Sequence, residues 1–222
     1  MRSLFGAVVF SLLAASLARA HFPFIVPDAT GDTAKVVFSD TLEPDTKVNI
    51  EKLSATKLTV RVDGKESALD WKKGEGFYAL NVPGSGNRLV YGVTEYGVLQ
   101  KGDSKPFKLV YFPKAVVGNP NAPECVIGEK CPLEIVFVGE PGRAKFRVLS
   151  FGKPVPDSEV TVLLPDGTKK AVTTDKDGYT PVIESSGRLG VYARLTEVKS
   201  GEFAGKKYEE IRNYATLVCD IK

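Results

Sequence analysis

The chain contains one histidine, His21. Upstream of it, Arg2 gives a positive start, Leu4 to Leu17 is an almost unbroken apolar run, and Ala18-Arg19-Ala20 is a small-x-small cleavage motif. Cleavage after Ala20 would give a mature protein that begins His21-Phe22-Pro23-Phe24. A terminal histidine carries an α-amine and an imidazole Nδ1 that can close a chelate ring on one ion. Such nitrogens suit Ni, Co, Cu or Zn. The plain alternative is that processing leaves a histidine there by chance. Asp28 and Asp32 follow within a few residues and are the candidate oxygen ligands. Pro23 has no amide proton to lose, which disfavours a square-planar site of consecutive deprotonated amides. The expected metal site is therefore open, with His21, Asp28 and Asp32 as ligands and Ni, Co or Cu as the ion.

Other chemistries find less support. Nucleophilic catalysis needs a Ser or Cys beside a base, and the lone histidine is the first residue after the cleavage motif. No Gly-x-Ser-x-Gly elbow and no GxxxxGK[ST] phosphate loop occurs. A copper oxygenase site built on a terminal histidine needs a second imidazole. Structural zinc sites of four cysteines, or of two cysteines and two histidines, are excluded by the three cysteines and one histidine. The turn Asp175-Lys176-Asp177-Gly178-Tyr179 superficially resembles a calcium loop but lacks the closing Glu. Most paired carboxylates, such as Glu43 and Asp45, read as solvated charges. Trp71, Phe77, Tyr78, Tyr91 and Tyr96 could line a sugar platform, although aromatics in β proteins more often fill cores. The chain is expected to be non-catalytic.

The leader places the protein in the periplasm or outside the cell. Two arginines lie in the leader, so the 30 basic side chains become 28 against 27 acidic ones. That balance gives no reason to expect nucleic acid. No later apolar run approaches the ~18 residues of a membrane span. In an oxidising compartment, Cys125 and Cys131 read as a local disulfide that pins the loop between them. Cys219, in the apolar run TLVCDI, reads as a buried core residue.

Positioning falls to β-strands. Short runs rich in Val, Ile, Thr, Phe and Tyr alternate with turn signals, and helical periodicity is almost absent. NIEKLSAT reads as one short helix or an irregular turn. Pro165-Asp166-Gly167-Thr168 reads as a hairpin turn between alternating strands. The expected fold is all-β, with two immunoglobulin-like or transthyretin-like sandwich sections in series after a signal peptide. The expected division is a signal peptide over 1–20, an N-terminal β domain over 21–112, a proline-rich linker with the cysteine pair over 113–132, and a C-terminal immunoglobulin-like sandwich over 133–222.

Gly152-Lys153-Pro154-Val155-Pro156, followed by EVTVLLPDGT and TTDKDGYTPV, resembles the transthyretin-like and carboxypeptidase-regulatory-like β-sandwich. The order of motifs is more specific. A leader, a His-Phe-x-x-x-Val-Pro opening, Tyr-Gly-Val-Leu, Pro-Leu-Glu-Ile-Val and a closing Tyr-Ala-Thr-Leu resemble a bacterial family of unknown function described as a periplasmic component of nickel/cobalt transport. The resemblance implies an exported metal-binding accessory protein with a membrane transporter component as partner. Only His21 carries over as a ligand, since Asn213 stands where a second histidine would precede Tyr214-Ala215-Thr216-Leu217. The alternative is a periplasmic or cell-surface β-sandwich module that binds protein or glycan.

Overall fold

The computed structural model describes residues 21–222; the leader read over 1–20 lies outside the described residues. The first half contains β1 (Phe22–Pro27), β2 (Thr33–Ser39), β3 (Lys57–Val62), β4 (Lys65–Leu69), β5 (Trp71–Lys73), β6 (Phe77–Asn81), β7 (Arg88–Leu99) and β8 (Phe107–Val117). Next come β9 (Glu134–Phe137), β10 (Arg143–Ala144), β11 (Phe146–Ser150), β12 (Lys153–Pro154), β13 (Glu159–Leu163) and β14 (Lys169–Thr173). The chain closes with β15 (Ile183–Glu184), β16 (Gly187–Glu197), β17 (Gly201–Phe203), β18 (Lys206–Tyr208) and β19 (Glu210–Ile221). Helix among the described residues is limited to 3-10 turns at Ile50–Leu53, Pro123–Cys125 and Gly128–Lys130. The all-β sandwich expectation holds.

The layering ties the two halves together. One eight-stranded sheet runs β14-β13-β16-β19-β8-β7-β3-β4. Its centre is a parallel pairing of β8 with β19, from Phe107 opposite Glu210 to Ala115 opposite Val218. The sheet β1-β2-β6-β5 covers one face and β12-β11-β9 covers the other. β8 therefore sits between two cores. Phe107, Leu109, Tyr111 and Ala115 enter the first, while Val110, Phe112 and Val116 enter the second. Its sequence FKLVYFPKAVV is nearly continuously apolar, as burial on both faces requires. The two sandwiches share this eight-stranded sheet.

The segment read as a linker over 113–132 is accordingly part strand, because β8 continues to Val117. Pro113 is tolerated there because the ladder to β7 is interrupted beside it. Lys114 pairs with Tyr91 and Tyr111 with Thr94, leaving no register partner at Pro113 on that side. The remainder of the segment is a compact loop pinned by Glu134. That carboxylate accepts from Ile127 N at 3.1 Å, from Gly128 N at 2.6 Å and from Lys114 Nζ at 2.9 Å.

The disulfide expectation is corrected. Cys125, Cys131 and Cys219 are all free and buried. The Cys131 thiol donates to Leu133 O at 3.1 Å, and the Cys125 thiol faces Asn119 O at 3.6 Å. The loop is ordered by a buried carboxylate, so its closure does not require the cross-link. Burial raises the Cys125 and Cys131 thiols to about 11 and Cys219 to about 12. Such thiols are poor nucleophiles and poor metal ligands at neutral pH.

Two turns behave as their sequences suggest. At Pro165–Thr168, Leu164 N donates to Thr168 O, and Asp166 accepts from Thr168 N at 2.9 Å. In the 175–179 turn, Asp175 accepts from Asp177 N and Tyr179 N, both at 2.9 Å. Gly178 there has φ 80°, a left-handed conformation that favours glycine. Asp175 is thus a turn-stabilising residue whose Oδ1 accepts from two backbone amides.

Candidate functional site: a donor-rich cleft at His21

β1 fixes the site from its first residue. It pairs with β2 along its whole length, from Phe22 opposite Ser39 to Pro27 opposite Ala34. The buried Thr216 hydroxyl donates to Pro23 O at 2.7 Å, tying β1 to β19. The Phe22 ring stacks on Tyr192 at 4.1 Å and tilts against Tyr214 at 5.3 Å. His21 is consequently held half-buried at the edge of a cleft of about 540 Å3. That volume lies within the ~300–1,000 Å3 typical of ligand pockets.

The floor is apolar and aromatic: Phe22, Phe38, Phe107 and Leu109 are buried beneath it. Tyr111 lies against Tyr96 at 5.7 Å and Tyr214 at 5.9 Å between ring centres. None of these three hydroxyls has a hydrogen-bond partner among the described residues, and all three tyrosines line the cleft. Burial, and then the neighbouring Tyr96 and Tyr214 phenols, push Tyr111 well above the ordinary phenol range, so it remains a donor. Lys47, Lys52 and Lys101 line the exposed rim. None of them has a carboxylate within ion-pairing distance among the described residues. Arg212 is also in the lining, but Glu210 neutralises it and its guanidinium lies 3.6 Å from the Phe107 ring centre. The cleft therefore offers hydrogen-bond donors and positive charge over an apolar floor.

His21 Nε2 lies 3.0 Å from Asp45 Oδ2. The His21 hydrogen bond, followed by that from Lys47 N, holds the Asp45 carboxyl below its usual range. At neutral pH Asp45 is ionised and can only accept, so Nε2 must carry the proton. In the neutral imidazole Nδ1 would then present a lone pair, and that nitrogen has no partner among the described residues.

The proposed oxygen ligands do not join it. Asp28 follows β1, so at about 3.3 Å per residue it lies roughly 23 Å from His21. Its carboxylate closes a local turn, accepting from Thr30 Oγ1, Gly31 N and Thr33 Oγ1. These bonds, led by that from Thr33, lower Asp28 to about 2. Asp32 lies at the same far end and pairs with the buried Arg88, Nη1 to Oδ1, at 3.3 Å. Among the described residues no cluster of three or more His, Cys, Asp or Glu side chains could hold a metal ion. Asp45 is the carboxylate beside His21, and it meets the ring nitrogen remote from the amine.

Of the aromatics read as a sugar platform, only Tyr96 lines this cleft. Trp71 and Tyr78 stack on each other at 4.3 Å, Phe77 lies under Lys35, and Tyr91 faces Arg61. Sequence reasoning missed the convergence of Lys47, Lys52, Lys101, Tyr111 and Tyr214. They come from separate loops and strands, and no local pattern joins them.

No family profile and no curated protein matches the chain. Among solved structures it is similar to a pullulanase from Anoxybacillus sp. LM18-11, at 14% identity and TM-score 0.21, over 84% of this chain and 27% of that one. The chain thus spans about a quarter of that enzyme. It is also similar to a two-domain fibronectin type-III segment of chicken tenascin, at 16% identity and TM-score 0.24, over 87% of this chain and 98% of that one. A third likeness is to SGBP-B of the Bacteroides ovatus mixed-linkage glucan utilization locus, at 9% identity and TM-score 0.18, over 87% and 43% of the two chains. Likenesses at these scores identify no ligand, activity or partner for this chain. No helix among the described residues is long and apolar enough to cross a membrane.

Proposed function

We propose that the chain is an exported, non-catalytic β-sandwich module that binds a ligand in the His21 cleft. One observation carries the reading: the phenols of Tyr96, Tyr111 and Tyr214 and the ammonium groups of Lys47, Lys52 and Lys101 surround one cleft without an acceptor among the described residues. Grouped donors over an apolar floor favour an acceptor-bearing ligand. The test is saturation-transfer NMR of the exported chain against soluble glycans, organic acids, inorganic anions and short peptides. At least one ligand should give contacts that weaken in both Tyr96→Phe and Tyr214→Phe, which remove only the hydroxyl groups. A panel without contacts, or contacts indifferent to both changes, would overturn the reading.

A metal-handling role is the second reading, and the His21–Asp45 geometry favours it. A carboxylate on Nε2 fixes the tautomer that leaves Nδ1 free, as outer partners of metal-binding histidines do. Cleavage before His21 would supply the α-amine, and Ni, Co or Cu would complete its coordination with water or a partner's ligands. Delivery to a membrane transporter component would follow. The test is N-terminal sequencing and then calorimetry with Ni2+ and Cu2+. It compares the processed chain, a form with one added residue before His21, and His21→Ala. Binding only by the processed chain, weakened about tenfold or more by Asp45→Asn, supports the role. Equal binding by all three removes it.

A further inference from the structure

Resting on the binding-module reading, we infer that the His21 cleft takes a carboxylated saccharide, a uronate unit or a short chain of them. Three features of the cleft select that chemistry. Donors predominate among the groups without a partner in the described residues: the phenols of Tyr96, Tyr111 and Tyr214 and the ammonium groups of Lys47, Lys52 and Lys101, against the single ring nitrogen Nδ1 of His21. Its charge is positive, because Lys47, Lys52, Lys101 and Arg212 outnumber the neighbouring carboxylates of Asp45 and Glu210. Its floor of Phe22, Phe38, Phe107 and Leu109 is apolar.

A bare oxyanion would satisfy the donors but leave that floor wet. A neutral sugar would cover the floor and leave the ammonium groups without a counter-charge. An acidic peptide would bring one fixed backbone N–H donor with every carbonyl acceptor, and those N–H groups cannot turn into acceptors. A sugar hydroxyl can, since it rotates to present its lone pairs. The ring's C–H surface would lie on the floor, the hydroxyl oxygens would accept from the phenols, and the carboxylate would face the lysines. The exposed lysine rim makes binding sensitive to salt.

The experiment is calorimetry of the exported chain with digalacturonate, neutral digalactose, sodium phosphate and a tetraglutamate peptide. Digalacturonate should bind at least about tenfold more tightly than digalactose, consistent with the strength of hydrogen bonds to charged groups. Lys47→Ala, Lys52→Ala and Lys101→Ala should each weaken digalacturonate binding severalfold, and raising salt should weaken it further. Digalactose binding as tightly as digalacturonate would overturn the role of charge. Phosphate binding equally well would reduce the site to an oxyanion site, and tetraglutamate binding more tightly would make the partner an acidic peptide. Either result overturns the saccharide inference and leaves the binding module standing. Failure of the whole panel, together with no contacts in the broader NMR panel, would overturn both.

Discussion

Lys114→Met should be among the most damaging single changes in this protein. The Lys114 side chain is 3% exposed and that of Glu134 is 1% exposed, with the ammonium 2.9 Å from the carboxylate. Lys114 Nζ also donates to Cys125 O at 3.1 Å. Removing the lysine leaves a buried carboxylate without a counter-charge. Breaking such pairs costs about 3–5 kcal/mol. Glu134 keeps two backbone N–H donors, from Ile127 and Gly128, so the lower end applies. With a urea slope of about 2–3 kcal/mol/M, a loss of about 3 kcal/mol lowers the midpoint by about 1–1.5 M. The assay is urea unfolding of wild type, Lys114→Met, Glu134→Gln and the double variant. The singles should fail to add by about 1–3 kcal/mol, because the second change removes the charge stranded by the first. Hydrogen exchange at Ile127 and Gly128 should accelerate most in Glu134→Gln, which weakens the cap on those amides. A Lys114→Met midpoint within about 0.3 M of wild type, or strictly additive singles, would refute the reasoning.

Native Cys125, Cys131 and Cys219 should resist alkylation at pH 8, since burial raises them to about 11, 11 and 12, and all three should titrate after denaturation without reductant; a count of one thiol would restore the Cys125–Cys131 bond. Asp28 has a depressed folded value of about 2, so its stabilising turn is fully present above its unfolded value of about 3.9 and is lost as pH falls through about 2. Asp28→Asn should therefore be less stable than wild type at pH 7, with the gap in urea midpoints closing towards pH 2; a gap independent of pH would contradict the turn's electrostatic role.

Much of the strand content was legible because period-two runs and turn residues are local signals. PDGT announced its hairpin, and DKDG announced a turn held by Asp175. The central pairing was not legible. Parallel partners β8 and β19 are separated by most of the second half, and pairing at that distance leaves no local mark. The continuous apolar run FKLVYFPKAVV was a clue to double burial, but the proline-rich stretch that opens at Pro113 and continues through Lys114 read as a linker. Only the gap in the β7 ladder and the carboxylate of Glu134 make those two residues acceptable there. The site was half legible. His21 stood out as the sole histidine, yet proximity in sequence suggested Asp28 and Asp32. An extended strand carries them away from it, whereas Asp45 returns through the β2–β3 connection.

The two functional readings meet in one electrostatic environment. His21 shares its cleft with Lys47, Lys52 and Lys101, whose charges are unpaired among the described residues. A divalent cation on Nδ1 and the α-amine would enter a region already positive, so the lysine charges oppose it. A carboxylated ligand reverses that sign, and a metal bound first would in turn strengthen the hold on the anion. Coupling of this kind is reciprocal: each ligand must raise the other's affinity by the same factor. Measured Ni2+ or Cu2+ affinity should therefore rise when digalacturonate occupies the cleft, and Lys47→Ala should raise it in the absence of the sugar. Metal affinity unchanged by both would show that the His21 nitrogens and the lysine rim do not act on one site.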